Sequence, residues 1–406
     1  MNRRQALTFI TNAMVVYTHP AIGMQLATKD ISKKPTMPSK YITLFLCGDV
    51  MTGRGIDQVM PHPSDPILFE PYVNDATEYV TLAERVHGPI PKPVDFAYIW
   101  GDALSELRRF APDVRIINLE TSVTTSNQYW PGKGINYRMH PQNIPCLSAA
   151  EIDCCVLANN HVLDWGYDGL TETLATLQKA NIHTAGAGRN IKDAQAPAIL
   201  ETAGRTRAIV FSFAMASSGV PRQWAADVSK PGVNFLEDLS AKTVSRISSQ
   251  VQTAKQTGDI VVVSIHWGGN WGYHIPLEHI EFAHELIDTA GVDIIHGHSS
   301  HHPIAMEVYK DKPILYGCGD FLNDYEGISG YEQYRGDLAL MYFVRMEVDT
   351  GRLASVEMVP TQLKGFKSNR ASGEDSRWLQ RVLNKECGNF KGRVELNKES
   401  ILVLHW

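Results

Sequence analysis

No stretch of this sequence beyond its first two dozen residues approaches 18 consecutive apolar residues, so nothing further along suggests a membrane-spanning helix. Cysteine is scarce. The 6 present, Cys47, Cys146, Cys154, Cys155, Cys318 and Cys387, form neither a CxxC metal pattern nor a dense disulfide framework, and most are expected to be core thiols. Basic charge is not in excess: 38 Lys and Arg face 44 Asp and Glu, a net charge of −6, which leaves no basic stripe for a nucleic-acid backbone. A small anionic ligand could still be met by local charges. Ser/Gly linkers, charge runs, internal repeats and low-complexity tracts are also missing, so no domain boundary is marked. What the 406 residues do have is 44% hydrophobic content with 8 Trp and 15 Tyr, enough to bury a large core without disulfides.

Residues 1–27 read as an export signal. Arg3 and Arg4 precede a mildly apolar stretch, and Ala21 and Gly23 are spaced like a small-residue cleavage site. The paired arginines resemble a twin-arginine signal, and His19 with Pro20 makes the stretch poor for a permanent span. The mature chain is therefore expected in the periplasm or cell envelope.

From Tyr41 onward, short apolar runs alternate with helical periodicity, the pattern of an α/β domain. Strand candidates end in chemistry. ITLFLC (Ile42 to Cys47) leads to Asp49, VRII (Val114 to Ile117) to Asn118 and Glu120, and CCVL (Cys154 to Leu157) to Asn159, Asn160 and His161. IVVVSI (Ile260 to Ile265) leads to His266 and Trp267, and VDII (Val292 to Ile295) to His296 and His298. Open α/β sheets place ligands at the carboxyl ends of their strands.

Leu170, Leu174 and Leu177, and likewise Phe282, Leu286 and Ile287, recur at helical spacing and predict helices covering sheet faces. Residues 338–359 predict a hairpin turning at Asp349 to Gly351 and closing a sheet edge. The proline-rich segment 59–96 excludes one long helix and predicts a long loop, either a roof for the site or a decorative insertion. The main domain is expected over 41–363. Residues 364–406 then form a helix-and-strand extension, with its helix capped at Ser372 and stopped at Gly388.

Asp49, Glu120, Asn160, His161, His266, His298 and His301 mix oxygen and imidazole donors with no thiolate. Such a mixture suits a catalytic Mn, Fe or Zn site better than a structural zinc site, which favours cysteine. The signal is collective, because any one of the 15 histidines alone reads as an ordinary polar residue.

The stretches GDVMTGRG (48–55), INLETSVT (117–124), ANNHVLDWGYDGL (158–170), AGAGRNIKDAQAP (185–197), HWGGNWGY (266–273), GHSSHHP (297–303) and YGCGDFLNDY (316–325) resemble, in order, the motifs of the CapA-type capsule-synthesis family. The resemblance implies a metallophosphatase-like layered α/β sandwich of mixed sheets flanked by helices, and a role in poly-γ-glutamate capsule production. It also implies a capsule-synthesis membrane complex as partner and an anionic substrate, either a phosphoester or the γ-glutamyl polymer. Carried across, Asp49 is the first metal carboxylate, Glu120 a bridging carboxylate and Asn160 the carboxamide ligand. His161 is the catalytic histidine, His266 a later metal ligand, and His298 with His301 the closing pair, for one or two divalent ions.

Three departures stand out. Met51 occupies the place of a metal histidine, as is usual in the CapA-type family; His298 and His301 are separated by two residues, Ser299 and Ser300, where the closing pair is normally separated by one, so His296 with His298 is a competing pair; and Asp320 stands where an amide is expected. Asp320 either bonds a ligand histidine or caps a turn. Arg54, Arg138, Trp267 and Asn270 are candidates for substrate contact, the guanidinium groups suiting carboxylate or phosphate. Asp164 either orients His161 or caps the helix opening near Gly166, the cap being the expected role.

Overall fold

The computed structural model describes residues 39–204 and 206–406; the export signal expected over 1–27 lies outside them. Two mixed sheets dominate. Strands β1 (Tyr41–Val50), β2 (Val114–Leu119), β3 (Cys154–Val156) and β4 (His183–Ala185) run parallel in the larger, ten-stranded sheet. The seven-stranded sheet is built on β5 (Arg207–Met215), β6 (Ile260–His266), β7 (Ile294–His298) and β8 (Lys312–Leu315), also parallel to one another. Their near-continuous Val/Ile runs reflect burial on both faces.

The sheets pack face to face. Leu44, Leu46, Val114, Ile116 and Val156 of one sheet share a core with Val210, Ile260, Val262 and Ile294 of the other. Helices cover both outer faces. Leu170, Leu174 and Leu177 of α1 (Gly166–Lys179) pack on the larger sheet. On the smaller sheet, Val244 and Ile247 of α2 (Ala241–Ala254) join Phe282 and Leu286 of α3 (Leu277–Ala290), and Gly291, in a left-handed conformation, ends α3. The layered α/β sandwich expected from the sequence is the architecture formed.

The short strand β9 (Asp320–Leu322) adds to the end of β1, pairing Asp49 with Asp320. The hairpin of β10 (Leu338–Glu347) and β11 (Leu353–Leu363) turns where expected but does not close the sheet edge. Instead β10 pairs with β1, and β11 is followed outward by a C-terminal strand pair, Arg393–Leu396 and Leu402–His405. The backbone of Glu357 and Met358 was free to pair, and the chain's last strands take it. Between them lies α4 (Gly373–Cys387), its first turn capped by Ser372 Oγ accepting from Asp375 N. Segment 59–96 contains an 11-residue helix, Thr77–His87, between irregular stretches.

One irregularity decides where the site forms. Leu46 pairs with Ile116 but Asp49 pairs with Asn118, so β1 carries one extra residue against β2 around Cys47 and Gly48. Before this bulge, Leu44 and Leu46 face the inter-sheet core, while Phe45 and Cys47 face the helices. Unbroken alternation would send residue 49 to the helix side; the extra residue turns it between the sheets.

Candidate functional site

Asp49 is fully buried between the sheets. Its Oδ1 accepts from Asn118 Nδ2 at 2.7 Å, and Oδ2 accepts from the backbone N–H of Ser299 at 3.1 Å. Asn118 is itself held, since its carbonyl oxygen accepts from Asn159 Nδ2. Asn159 then uses its own oxygen to accept from the N–H groups of His161 and Val162, which shapes the NNH turn after β3. Asn118 and Asn159, named at strand ends in the sequence but left out of the donor set, therefore link the first carboxylate to the loop carrying Asn160 and His161.

Opposite them, β6 and β7 deliver the imidazoles. Asp49, His266 and His298 present ligand atoms that all lie within 4.8 Å of one another. His298 Nδ1 is 3.8 Å from Asp49 Oδ1 and 2.7 Å from His266 Nδ1. The other ring nitrogen of His266 faces Asn160 Oδ1 at 3.1 Å and Glu120 Oε1 at 3.9 Å. Glu120 Oε2 is buried with no hydrogen-bond partner. His301 stands beside this group with Nδ1 committed to Asp320 Oδ1 at 2.8 Å, so Asp320 bonds a candidate ligand histidine. His296 is turned away, with Nε2 on the Cys47 carbonyl at 2.8 Å.

The electrostatics are those of an anionic pocket. Burial, and then the Asp320 charge, pushes the Asp49 carboxyl up to about 7. Burial and the Asp49 charge push Glu120 well above the usual carboxylate range. His266 and His298 are held neutral by burial, whereas burial at His301 is outweighed by Asp320 and Asp49, which raise it. Crowded carboxylates beside neutral imidazoles favour any cation that can share their lone pairs.

His161 sits across the pocket, its Nε2 3.6 Å from Glu120 Oε1. Its Nδ1 lies 2.6 Å from Asp164 Oδ2 and 2.9 Å from Lys133 Nζ, and the ring meets Tyr137 edge-on. Asp164 thus orients His161, contrary to the expected cap: α1 starts behind Trp165 with no side-chain cap. Asp164 Oδ2 also accepts from Tyr137 N, and Lys133 Nζ is 2.7 Å from Asp164 Oδ1. Nothing in the sequence marked Lys133.

Three of the expected substrate contacts are buried and engaged within the chain. Arg54 is buried and bonds Asp324, Glu70, Tyr79 and Tyr137, which ties segment 59–96 to the wall behind His161. Arg138 stacks on Trp165 and donates to Ser126 O, Asn127 Oδ1 and Asp65 O. Trp267 is buried, stacked on His279, and donates Nε1–H to Tyr316 O. Each has polar partners inside the chain. Only Asn270 is exposed, on the loop whose carbonyl accepts from His301 N. Met51 is buried, its sulfur accepting from Tyr325 OH at 3.6 Å.

The family model described as bacterial capsule synthesis protein PGA_cap matches residues 43–325. A probable polyglutamine synthesis accessory protein of Mycobacterium tuberculosis is 46% identical over 362 residues, covering 89% of this chain and 95% of that protein. The PGA biosynthesis protein CapA of Bacillus subtilis is 28% identical over 377 residues, covering 92% of this chain and 85% of its own length. The capsule biosynthesis protein CapA of Bacillus anthracis is 24% identical over 369 residues, covering 90% and 78%.

Proposed function

Because the chain belongs to the bacterial capsule synthesis protein family, we propose that it is an exported accessory of polyglutamate synthesis whose strand-end cluster is a metal-dependent, phosphoesterase-like hydrolytic site. The names of the mycobacterial and bacillar relatives support the first half of this reading. The second half is carried by the convergence of Asp49, His266 and His298 ligand atoms within 4.8 Å.

The residues fit a divalent ion. Oxygen and imidazole donors without thiolate suit Mn, Fe or Zn, and the orphaned Glu120 Oε2 is a buried acceptor in want of a positive partner. When bound, such an ion supplies Lewis acidity toward a phosphoryl oxygen and an attacking water. The chain's own part is proton handling and exclusion of water. Asp164 and Lys133 hold the Nδ1 side of His161, so its Nε2 is the atom that exchanges a proton with the leaving group, 3.6 Å from Glu120 Oε1. The substrate is an anionic phosphoester or a γ-glutamyl chain handled within an envelope complex.

The test is metal content of the purified chain by mass spectrometry after loading with Mn, Fe or Zn, alongside aryl phosphate and phosphodiester turnover. One or two equivalents, lost in Asp49→Ala and Asn160→Ala together with turnover, is the expected result. Metal without any turnover favours a second reading, which the sulfur of Met51 in a histidine's place supports: an accessory that binds the γ-glutamyl polymer without hydrolysing it. Calorimetric titration with γ-glutamyl oligomers then checks that reading directly.

A further inference from the structure

Parallel pairing of β6 with β7 sets Ser264 opposite His296 and His266 opposite His298. Because side chains alternate along a strand, all four lie on the face that looks between the sheets. Their polar atoms form a continuous chain. His296 Nε2 is 2.8 Å from the Cys47 carbonyl, His296 Nδ1 is 3.1 Å from Ser264 Oγ, and Ser264 Oγ is 2.8 Å from His298 Nε2. His298 Nδ1 ends the chain, 2.7 Å from His266 Nδ1 and 3.8 Å from Asp49 Oδ1.

The direction of every proton follows from the first acceptor. A backbone carbonyl only accepts, so His296 carries hydrogen on Nε2. In the neutral ring Nδ1 is then a bare acceptor, and Ser264 must donate its single O–H to it. Ser264 Oγ has only acceptor capacity left, so His298 donates Nε2–H. That leaves His298 Nδ1 bare, accepting from His266 Nδ1–H in the metal-free chain. The opposite polarity would require hydrogen on both nitrogens of His296, an imidazolium with 0% exposure and no carboxylate in ion-pair contact among the described residues. The bulge that turns Asp49 inward supplies the anchor too, since the Cys47 carbonyl lies where β1 and β2 fall out of register.

We propose that Ser264 and His296 are positioning residues that lock His298 in the tautomer whose bare Nδ1 faces Asp49, making His298 the ligating imidazole and His296 its support. This rests on the metal-site reading above, and it resolves which of the clustered histidines point inward. Outer partners of this kind fix ring orientation and typically change metal affinity by about 10- to 100-fold when removed.

The experiment uses the metal-free full chain labelled with ¹⁵N-histidine, whose long-range ¹H–¹⁵N spectra report the tautomer of each ring, with His298 assigned through His298→Gln. The expected result is His298 protonated at Nε2 in the wild type. In Ser264→Ala that preference is lost and chelator-competition affinity for Mn or Zn falls by about 10- to 100-fold; Ser264→Thr, which keeps the hydroxyl, restores both. His298 protonated at Nδ1 in the wild type overturns the proposal, as does an Ser264→Ala protein that folds and retains both tautomer and affinity. The wild-type spectrum needs no variant to fold. If His298 shows the Nε2–H tautomer but no ion binds, the relay stands and the metal reading falls.

Discussion

Removing the guanidinium of Arg54 would leave the carboxylates of Asp324 and Glu70 buried without a cation. Breaking a buried pair from one side costs about 3–5 kcal/mol. Arg54→Leu is therefore expected to lose that much stability in chemical denaturation of the metal-free chain, and a loss below about 1 kcal/mol would assign the pair to the weak, surface class. The sequence could not separate this role from anion binding, because a guanidinium satisfies both and only its neighbours distinguish them. Asp164 shows the same ambiguity. Standing before a helix, it reads as a cap, yet the loop of Tyr137 and Lys133, distant in sequence, brings partners that turn it toward His161.

At the scale of elements, the bulge in β1 carries the site, and Gly48 is what permits it. A Cβ there would fall 1.6 Å from the Gly319 carbonyl oxygen, where the strand crosses the segment leading into β9. Backbone cannot retreat as a flexible side chain can. Gly48→Ala is expected to cost about 3 kcal/mol or more, and any soluble protein to lose metal because Asp49 is displaced. Wild-type melting and metal content in this variant would contradict the account. The strand-end motifs were legible because burial and chemistry alternate in the sequence. The bulge was not, since ITLFLC reads as a plain strand that ends before Gly48 and Asp49, and the extra residue shows only once β2 pairs beside it. The hairpin of 338–363 was likewise visible as two strands and a turn, but its interior place in the sheet depended on the C-terminal strands pairing with β11.

Over the whole molecule, burial holds several histidines neutral. His161, His279, His296 and His302 are each lowered from 6.5 to about 4, with burial the leading cause at all of them. A depressed folded pKa means the unfolded chain takes up protons first as pH falls. The stability these groups contribute is complete above pH 6.5 and is lost as pH drops toward 4. In the metal-free protein this loss runs against the opposite contribution of Asp49 and Glu120, whose raised carboxyls take up protons first in the folded state. His279→Gln, which removes the ring stacked on Trp267, should melt higher relative to the wild type as pH falls from 6.5 to 4; a difference between the two that stays constant over that window would show that this ring is hydrated.

The sequence by itself determined the class of fold and the donor types, because strand burial forces apolar runs and strand ends are where polar side chains can stand between packed sheets. Ordered motifs also placed the chain in its family. Only the tertiary structure decided which donors meet. Register between β6 and β7, the extra residue in β1 and the two amides of Asn118 and Asn159 set which atoms face inward. Those relations join residues far apart in the chain, and an imidazole has the same letter whether it presents a lone pair or a proton.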